Sequence, residues 1–355
     1  MAKKPNGKKR IVIVLCVMLA LLVVLPSAGT VIAYECIFGM RYEPEAWRQF
    51  SPEDFPGLQL ERSDFDSDGT ALAGYKYSAA RTEEAKGVVV MAHGLGSGGH
   101  NTFMPLIDAF TSGGYYVFTY DVHGNGESGG RSVEGLPQGL IDLDSAITHA
   151  ETIAEYAGLP FMLFGHSWGA YSSANVLAFH PEIEAVVIVS GFNESENMLR
   201  HYGDQYAGPA GGLLMPYLEI YEAIKFGRTY TDITGVEAMA DTDARIMIVH
   251  SMDDDTVPVE YGYDIFYEAF GDSERFDFVL YEDRGHAQPF DMDESRAYMA
   301  EAEAAYAGHI AASGLKNTAE NRSAYFSENL DKMLAFRPDP ALVDSILALY
   351  DECSA

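Results

Sequence analysis

Cysteine is scarce in this chain of 355 residues, which contains only Cys16, Cys36 and Cys353. They are too few and too far apart to form a disulfide framework, and no C-x-x-C pair of the kind that holds zinc occurs. Hydrophobic residues make up 48% of the chain, so a large buried core is available. The fold must therefore depend on that core, in one large domain or two ordinary ones.

Basic residues are also few, because 23 Lys and Arg face 53 Asp and Glu and give a net charge of −30. The imbalance is larger after the N-terminus, where residues 1–35 hold five basic residues and one acid. A surface this acidic repels nucleic acid and anionic lipid headgroups. We expect no nucleic-acid partner.

Phosphate-binding glycine motifs are missing as well. The segment GLGSGGH at 94–100 lacks the Lys-Ser/Thr of a P-loop and the spacing of a dinucleotide site. Internal repeats and low-complexity tracts are absent too.

One long hydrophobic run is present, from Ile11 to Tyr34, directly after a basic cluster. It is long enough to cross a bilayer as a helix, and the basic side stays in the cytoplasm. We therefore predict a cytoplasmic segment over 1–10, a transmembrane anchor over 11–34 and an extracytoplasmic remainder. The alternative is a cleaved signal peptide, because the most apolar part ends at Leu25 and small residues lie at 31 and 33. The run continues past Pro26, which favours the anchor at the cell membrane over secretion.

Six short apolar runs follow, each ending in a polar or glycine-containing turn. They occupy residues 87–94, 115–121, 160–167, 184–191, 244–251 and 276–283. Runs that are apolar on both faces are typical of parallel strands covered by helices on both sides. Helix-like segments separate them, over 102–112, 136–157, 168–179 and 261–270. The alternation predicts an α/β fold with a doubly wound, mostly parallel sheet.

This sheet defines a core over residues 58–290, with a linker over 35–57 before it and C-terminal helices over 291–355. Within the C-terminal region we predict helices at 292–313, 327–336 and 337–350. Between about 192 and 243 no convincing strand occurs, although the interval is rich in aromatic and methionine side chains. It is either a helical cap over a substrate cleft or an insertion that packs its own small core.

The segment PFMLFGHSWGA places Ser167 between two glycines, after a predicted strand and before a predicted helix. A sharp strand-to-helix turn of this type presents a serine hydroxyl for nucleophilic attack. The helix N-terminus behind it supplies N–H groups for an oxyanion. Ser167 is therefore a candidate nucleophile.

A serine nucleophile needs a histidine base and an acid that orients the base. Asp253, Asp254 and Asp255 follow the fifth core strand, and His286 follows the sixth. The ends of parallel strands meet at one edge of the sheet, where such sites form. His309 lies inside a predicted helix, and we expect His166 to point away from its neighbour, the serine. Residue order favours His286 and leaves the choice of aspartate open.

Five segments in this order resemble the α/β-hydrolase superfamily, and in particular its serine aminopeptidase-like and lysophospholipase or monoacylglycerol lipase-like branch. They are HGLGSGG at 93–99, YDVHGNGESGG at 120–130, GHSWG at 165–169, DDTVP at 254–258 and RGH at 284–286. The resemblance implies Asp254 as the acid, with Asp255 as the alternative. It also implies that the backbone N–H groups of Leu95 and Trp168 form the oxyanion hole, and we expect His93 to make only structural hydrogen bonds. His123 departs from the family pattern, which has arginine there, so the charge pairing of that loop must differ.

The combined expectation is a membrane-anchored serine hydrolase with an α/β-hydrolase fold, acting through an acyl-enzyme on a small-molecule acyl ester or lipid-like substrate. A peptidase or amidase is the first alternative, because the same groups cleave amides. A non-catalytic, membrane-anchored binding protein is the second. We expect no metal and no cofactor, since serine, base and oxyanion donors complete the machinery. The oligomeric state has no signature in the sequence.

Overall fold

The computed structural model describes residues 7–80, 84–96, 98–208, 211–287 and 289–354. Its strands are β1 Leu58–Arg62, β2 Phe65–Ser67, β3 Thr70–Leu72, β4 Gly74–Ala79, β5 Val88–Ala92, β6 Tyr116–Tyr120, β7 Phe161–His166, β8 Ala185–Val189, β9 Arg245–Ser251 and β10 Phe276–Tyr281. Its α-helices are α1 Gly7–Phe38, α2 Met104–Ser112, α3 Leu136–Glu151, α4 Trp168–Asn175, α5 Ser195–Ala207, α6 Gly211–Phe226, α7 Arg228–Thr231, α8 Gly235–Ala240, α9 Tyr263–Phe270, α10 Asp293–Ser313, α11 Ala319–Asn329, α12 Lys332–Ala335 and α13 Pro340–Cys353.

The central sheet has the strand order β1-β4-β6-β5-β7-β8-β9-β10. Six neighbouring strands pair in parallel, namely β6, β5, β7, β8, β9 and β10. At one edge of the sheet, β4 pairs antiparallel with β6 and β1 pairs antiparallel with β4. β2 and β3 form a separate antiparallel pair. The six parallel strands are the six predicted ones, and the predicted doubly wound sheet is confirmed. β1 to β4 have no counterpart among the predicted strands.

Helical layers cover both faces of the sheet, because alternate strand residues point in opposite directions. Val88 and Val90 pack into one layer, with α1, α3, α4, α9 and the helices between β8 and β9. Val89 and Met91 pack into the other layer, with α2 and the C-terminal helices α10 to α13. Strands buried on both faces explain why their sequences are apolar throughout.

The expected linker over residues 35–57 is wrong, because much of it is packed structure. Trp47, Phe50 and Phe55 are buried in the second core layer, and the Trp47 ring centroid lies 4.9 Å from that of Phe326 in α11. These side chains remove a large apolar area from water. The segment therefore ties the chain before β1 to the C-terminal helices.

The C-terminal region forms helices, but the helix predicted over 327–336 is two helices. α11 ends at Asn329, and Leu330 has an extended backbone with φ −100° and ψ 128°. The Asp331 carboxylate then accepts hydrogen bonds from the N–H groups of Met333 and Leu334, which caps α12. Because Asp331 caps the N-terminus of α12, a second helix begins there and α11 does not continue.

The segment between β8 and β9 contains α5 to α8 and is called the insertion below. Its methionines Met198, Met215 and Met239 are buried in the first core layer. α6 packs against α1, and α8 packs against α4. The buried apolar side chains of the insertion therefore join the main core.

Candidate active site

Ser167 occupies a strained turn between β7 and α4, with φ 56° and ψ −117°. A Cβ on Gly165 would lie 2.3 Å from the carbonyl oxygen of Gly169, and one on Gly169 would lie 2.0 Å from that of Ala92. Only glycine fits at either position. The two glycines allow the helix to start directly against the sheet, and they leave the serine at an unfavourable φ, which is common at functional sites.

The side chains of Ser167, His286 and Asp254 form one hydrogen-bonded series. His286 Nε2 lies 2.9 Å from Ser167 Oγ, and His286 Nδ1 lies 2.8 Å from Asp254 Oδ2. The other oxygen of Asp254 accepts hydrogen bonds from the backbone N–H groups of Thr256 at 3.0 Å and Val257 at 2.8 Å. Since the ionised carboxylate accepts a hydrogen bond from Nδ1–H, the proton of the neutral ring stays on Nδ1 and Nε2 is free to accept the serine proton.

The three neighbouring aspartates have different surroundings. Asp254 is buried and faces the histidine, whereas Asp253 and Asp255 are exposed. Asp253 accepts hydrogen bonds from Ser251 Oγ at 2.6 Å and from the Gly285 N–H at 2.8 Å, which hold the loop before the histidine. The structure therefore brings Asp254 to His286, and Asp253 supports the loop from outside.

His250 is a neighbour of Asp254 that the sequence analysis did not single out. Its Nε2 donates a hydrogen bond to the Val257 carbonyl at 2.8 Å and lies 3.4 Å from Asp254 Oδ2. Burial raises the pKa of Asp254, but hydrogen bonds from His250 and His286 outweigh it and hold that pKa well below its usual range. The only sequence signal for this contact was the presence of a histidine four residues before the acid, at the end of β9.

His166 points away from the serine, as its place on a strand predicts. Its Nε2 donates a hydrogen bond to the carbonyl of His286 at 2.9 Å, and its ring packs edge-on against Phe290. Burial, followed by the nearby His286, lowers the pKa of His166 to about 3, so it is neutral at physiological pH. His309 lies on α10, where its ring centroid is 5.0 Å from that of Tyr325.

The two predicted oxyanion residues flank the serine. Trp168 is the first residue of α4, so its backbone N–H is at the helix N-terminus. Leu95 follows β5, in a loop that lies against the serine: a Cβ on Gly94 would be 3.2 Å from Ser167 Cβ. The Trp168 indole is used elsewhere and donates to the carbonyl of Leu136 at 2.7 Å.

His93 holds the same loop from behind. Its Nε2 accepts a hydrogen bond from the Val122 N–H at 3.2 Å, and its Nδ1 donates to the Gly94 carbonyl at 2.8 Å. Burial lowers the pKa of His93, which keeps the ring neutral. These are the structural hydrogen bonds expected of this residue.

The loop after β6, in which histidine replaces the family's arginine, is held by a different arginine. The His123 N–H donates to Asp142 Oδ2 at 2.7 Å. The guanidinium of Arg41 donates to the carbonyls of Gly126, Ser128 and Gly130. Arg41 lies in the segment after α1, more than 80 residues before the carbonyls that it contacts. No local sequence motif could have predicted this contact.

A cavity of about 180 Å³ opens beside Ser167 and His286. Its lining includes Arg48, Leu95, Gly99, Phe103, Phe290, Asp291, Phe336 and Pro338. These come from the N-terminal segment, the loops after β5 and β10, and the connection between α12 and α13. Among the described lining residues none belongs to 192–243, so the expectation that the insertion shapes this cleft is wrong for this cavity.

A possible metal-binding group within the described ranges consists of Glu151, His180 and Glu182. Both ring nitrogens of this histidine already have partners, since Nδ1 lies 2.9 Å from Glu182 and Nε2 lies 2.9 Å from Asp144. The group does not line the cavity beside Ser167. Its geometry is explained by ion pairing.

A parallel sheet between helical layers, with serine, aspartate and histidine in this chain order at its strand ends, defines the α/β-hydrolase class. The family model described as "Serine aminopeptidase, S33" matches residues 83–247. An esterase of Pyrococcus furiosus has the same fold, with a TM-score of 0.53 and 17% identity over 70% of this chain and 90% of that one. The chain therefore has the α/β-hydrolase fold, and its residues 83–247 are similar to this hydrolase family.

Two relatives are more similar in sequence over shorter regions. Protein ABHD12B of Homo sapiens is 28% identical over 224 residues, which are 58% of this chain and 56% of that protein. Caffeoylshikimate esterase of Arabidopsis thaliana is 38% identical over 88 residues, 24% of this chain and 26% of that protein. The matched regions thus span about half or less of these relatives.

Proposed function

We propose that this protein is a serine hydrolase that cleaves carboxylic esters through an acyl-enzyme on Ser167. The observation that carries the proposal is the hydrogen-bonded series from Ser167 Oγ through His286 to Asp254. Each group has the neighbour that its role requires, and the acid stays ionised. The similarity to an esterase of Arabidopsis thaliana is consistent with ester substrates.

In the first half of the reaction, Ser167 Oγ attacks the ester carbonyl while His286 Nε2 takes the hydroxyl proton. Asp254 stabilises the imidazolium that forms. The N–H groups of Leu95 and Trp168 donate to the oxyanion. When the tetrahedral intermediate collapses, the bond to the alcohol breaks and His286 gives its proton to that alcohol.

In the second half, His286 takes a proton from water, which attacks the acyl group on Ser167. Collapse releases the carboxylic acid and returns the proton to the serine. The cavity of about 180 Å³ is smaller than the ~300 Å³ usual for drug-sized ligands, which favours a short acyl or alcohol group.

The test is labelling of the detergent-solubilised chain with a fluorescent fluorophosphonate, with Ser167→Ala and His286→Ala as controls. Labelling of the wild type alone supports an activated serine. Absence of labelling in folded wild type contradicts the proposal and favours a binding protein that keeps the fold.

A peptidase is the second candidate, because the matching family model carries the description of a serine aminopeptidase. Aminoacyl anilides and esters of matched acyl length separate the two activities. Turnover of the anilides without turnover of the esters would reverse the order of the candidates.

We also propose that α1 is a retained membrane anchor. It is long and apolar enough to span a bilayer, and its first half is exposed. From Ile11 to Leu25 the side chains are exposed, but these fifteen residues span only about 22 Å of the ~30 Å hydrocarbon core. The span must therefore continue into the part of α1 that packs against the insertion.

The packed part of α1 is an integral piece of the fold, which argues against removal by cleavage near Tyr34. Thr30, Tyr34 and Phe38 are buried, and Tyr34 contacts the insertion helix α6. The Tyr217 hydroxyl donates to the Leu22 carbonyl at 3.2 Å, so the start of α6 lies beside the middle of α1. We infer that the exposed apolar side chains of α6, Leu213 among them, contact lipid.

A fluorescent label at Leu213→Cys, in a chain whose native cysteines are replaced, tests the lipid contact in liposomes. Lipid-borne quenchers should reach this label and not one at Leu315→Cys, an exposed leucine of the C-terminal region. Equal exposure of both labels to water would contradict the contact. Recovery of the chain in the medium, beginning near residue 34, would contradict the anchor.

A further inference from the structure

Arg48 lies in the cavity beside the predicted nucleophile. It ends a short 3₁₀ turn whose neighbouring residue, Trp47, is buried, and its guanidinium carbon is 5.6 Å from the Trp47 ring centroid and 5.9 Å from that of Phe336. Ser167 and His286 line the same cavity. The charge of Arg48 also contributes to the lowered pKa of His166, directly beside the active-site histidine.

Apart from these two rings, the guanidinium of Arg48 has no carboxylate partner in the described part of the chain. No carboxylate oxygen lies within 4.0 Å of it, and its buried Nε makes no hydrogen bond there. Two other partly buried arginines do make hydrogen bonds: Arg284 donates to Asp339 at 2.8 Å, and Arg275, which also has no carboxylate partner among the described residues, donates to two backbone carbonyls.

The charges around Arg48 do not neutralise it at close range. Asp291 lines the cavity and Glu45 lies nearby, and both stabilise the positive charge from a distance, whereas Arg322 opposes it. Burial lowers the pKa of Arg48, because a poorly solvated cation is unfavourable. An anion that enters the cavity would remove that cost, because guanidinium binds carboxylate and phosphate with paired hydrogen bonds.

We propose that Arg48 binds an anionic group of the substrate, a carboxylate or a phosphate, so that the preferred ester carries a negative charge close to the scissile bond. The inference rests on the proposed ester hydrolysis and adds its substrate class. The small cavity holds the anion and the carbonyl carbon together, which restricts the spacer between them to a few atoms. The anion belongs to either the acyl part or the alcohol part, and the two are separable by experiment.

The experiment uses the full chain in detergent and two matched pairs of esters. Monoethyl glutarate beside ethyl pentanoate places a carboxylate on the acyl part. Butyryl glycerol phosphate beside monobutyrin places a phosphate on the alcohol part. The readout is the ratio of kcat/KM for the charged ester to that for its neutral partner, in wild type, R48Q, R48K and the control R228Q.

In at least one pair, R48Q should lower this ratio roughly 10- to 100-fold, as expected for a hydrogen bond to a charged group. R48K should retain part of the ratio, because it keeps the charge without the planar fork. R228Q removes an exposed arginine of α7 that is paired with Asp232, and its ratio should equal that of the wild type. Thermal unfolding of each variant shows that the fold is retained.

Two outcomes separate this inference from the proposed function. Hydrolysis of the neutral esters, with the ratio in both pairs unchanged by R48Q, would overturn the role of Arg48 and leave the hydrolase intact. If R48Q impairs folding, R48M replaces it, and an unchanged ratio in R48M would overturn the role of Arg48. A wild type that prefers the neutral ester in both pairs would overturn that role as well. Failure of labelling and of all four esters would overturn the hydrolase itself.

Discussion

The hydroxyl of Tyr34 donates a hydrogen bond to Glu222 Oε1 at 2.7 Å, and this bond joins the end of α1 to the insertion helix α6. The second oxygen of Glu222 accepts from Ser195 Oγ at 2.9 Å. The apolar helix and the insertion thus share a buried polar contact. The helix is therefore part of the folded unit and not a separate tether.

Tyr34→Phe should destabilise the full chain by about 1–3 kcal/mol, because it leaves one oxygen of a buried carboxyl group without its donor. The free energy of unfolding in detergent, measured by denaturant titration, gives the value. Tyr267→Phe is the matched control, since Tyr267 is exposed and its hydroxyl makes no hydrogen bond among those described, and it should cost less than about 0.5 kcal/mol. Equal losses of unfolding free energy in the two variants would show that the Tyr34–Glu222 hydrogen bond does not contribute to stability beyond an ordinary tyrosine hydroxyl.

Glu222 should make stability depend on pH. Burial raises its pKa to about 7, from an ordinary value of 4.5 in the unfolded chain. Between these two values the folded state binds the proton more tightly, so stability falls as pH rises from about 4.5 to 7. Glu222→Gln should flatten this dependence and be more stable than wild type at pH ~8. Melting curves at several pH values test it, and an unchanged slope in the variant would contradict it.

Asp254→Asn should lower kcat/KM for an ester roughly 10³- to 10⁴-fold, because the amide no longer holds the Nδ1 proton of His286 or stabilises the imidazolium. Asp255→Asn should retain nearly full activity, since Asp255 is exposed and makes no contact with His286 among those described. Fluorophosphonate labelling rates give a second measure. A larger loss in Asp255→Asn would transfer the role of the acid to that residue.

His166→Ala should lower activity about tenfold, which is the effect of losing one useful hydrogen bond to the His286 backbone. Because its pKa of about 3 keeps His166 neutral, the pH profile between about 5 and 8 should keep its shape. His309→Ala is the control. A shifted acidic limb in His166→Ala would show that His166 takes part in proton transfer.

The six parallel strands and the serine, aspartate and histidine at their ends were predictable from local sequence. Strands buried on both faces are apolar throughout, and the glycines around Ser167 serve a turn that tolerates no other residue. The choice of Asp254 came only from family resemblance. Which of three adjacent side chains points inward depends on the exact end of β9.

Other parts were not predictable because they depend on contacts between distant segments. β2 and β3 have only three residues each, and β1 has one buried residue followed by four exposed ones, so these patterns are weak. The segment before β1 resembled a linker, because its buried face forms only against α11 and the residues after α12. Arg41, Arg48 and His250 become significant only through neighbours that the folded chain supplies.

The cavity beside Ser167 is completed by Phe336 and Pro338, which lie near the end of the chain. In the proposed orientation, the chain after α1 crosses the membrane in sequence order, so these two residues cross after Ser167, Asp254 and His286. The three side chains would then lack one wall of their cavity until Phe336 and Pro338 have crossed. The catalytic groups and the complete cavity would therefore come together only on the extracytoplasmic side.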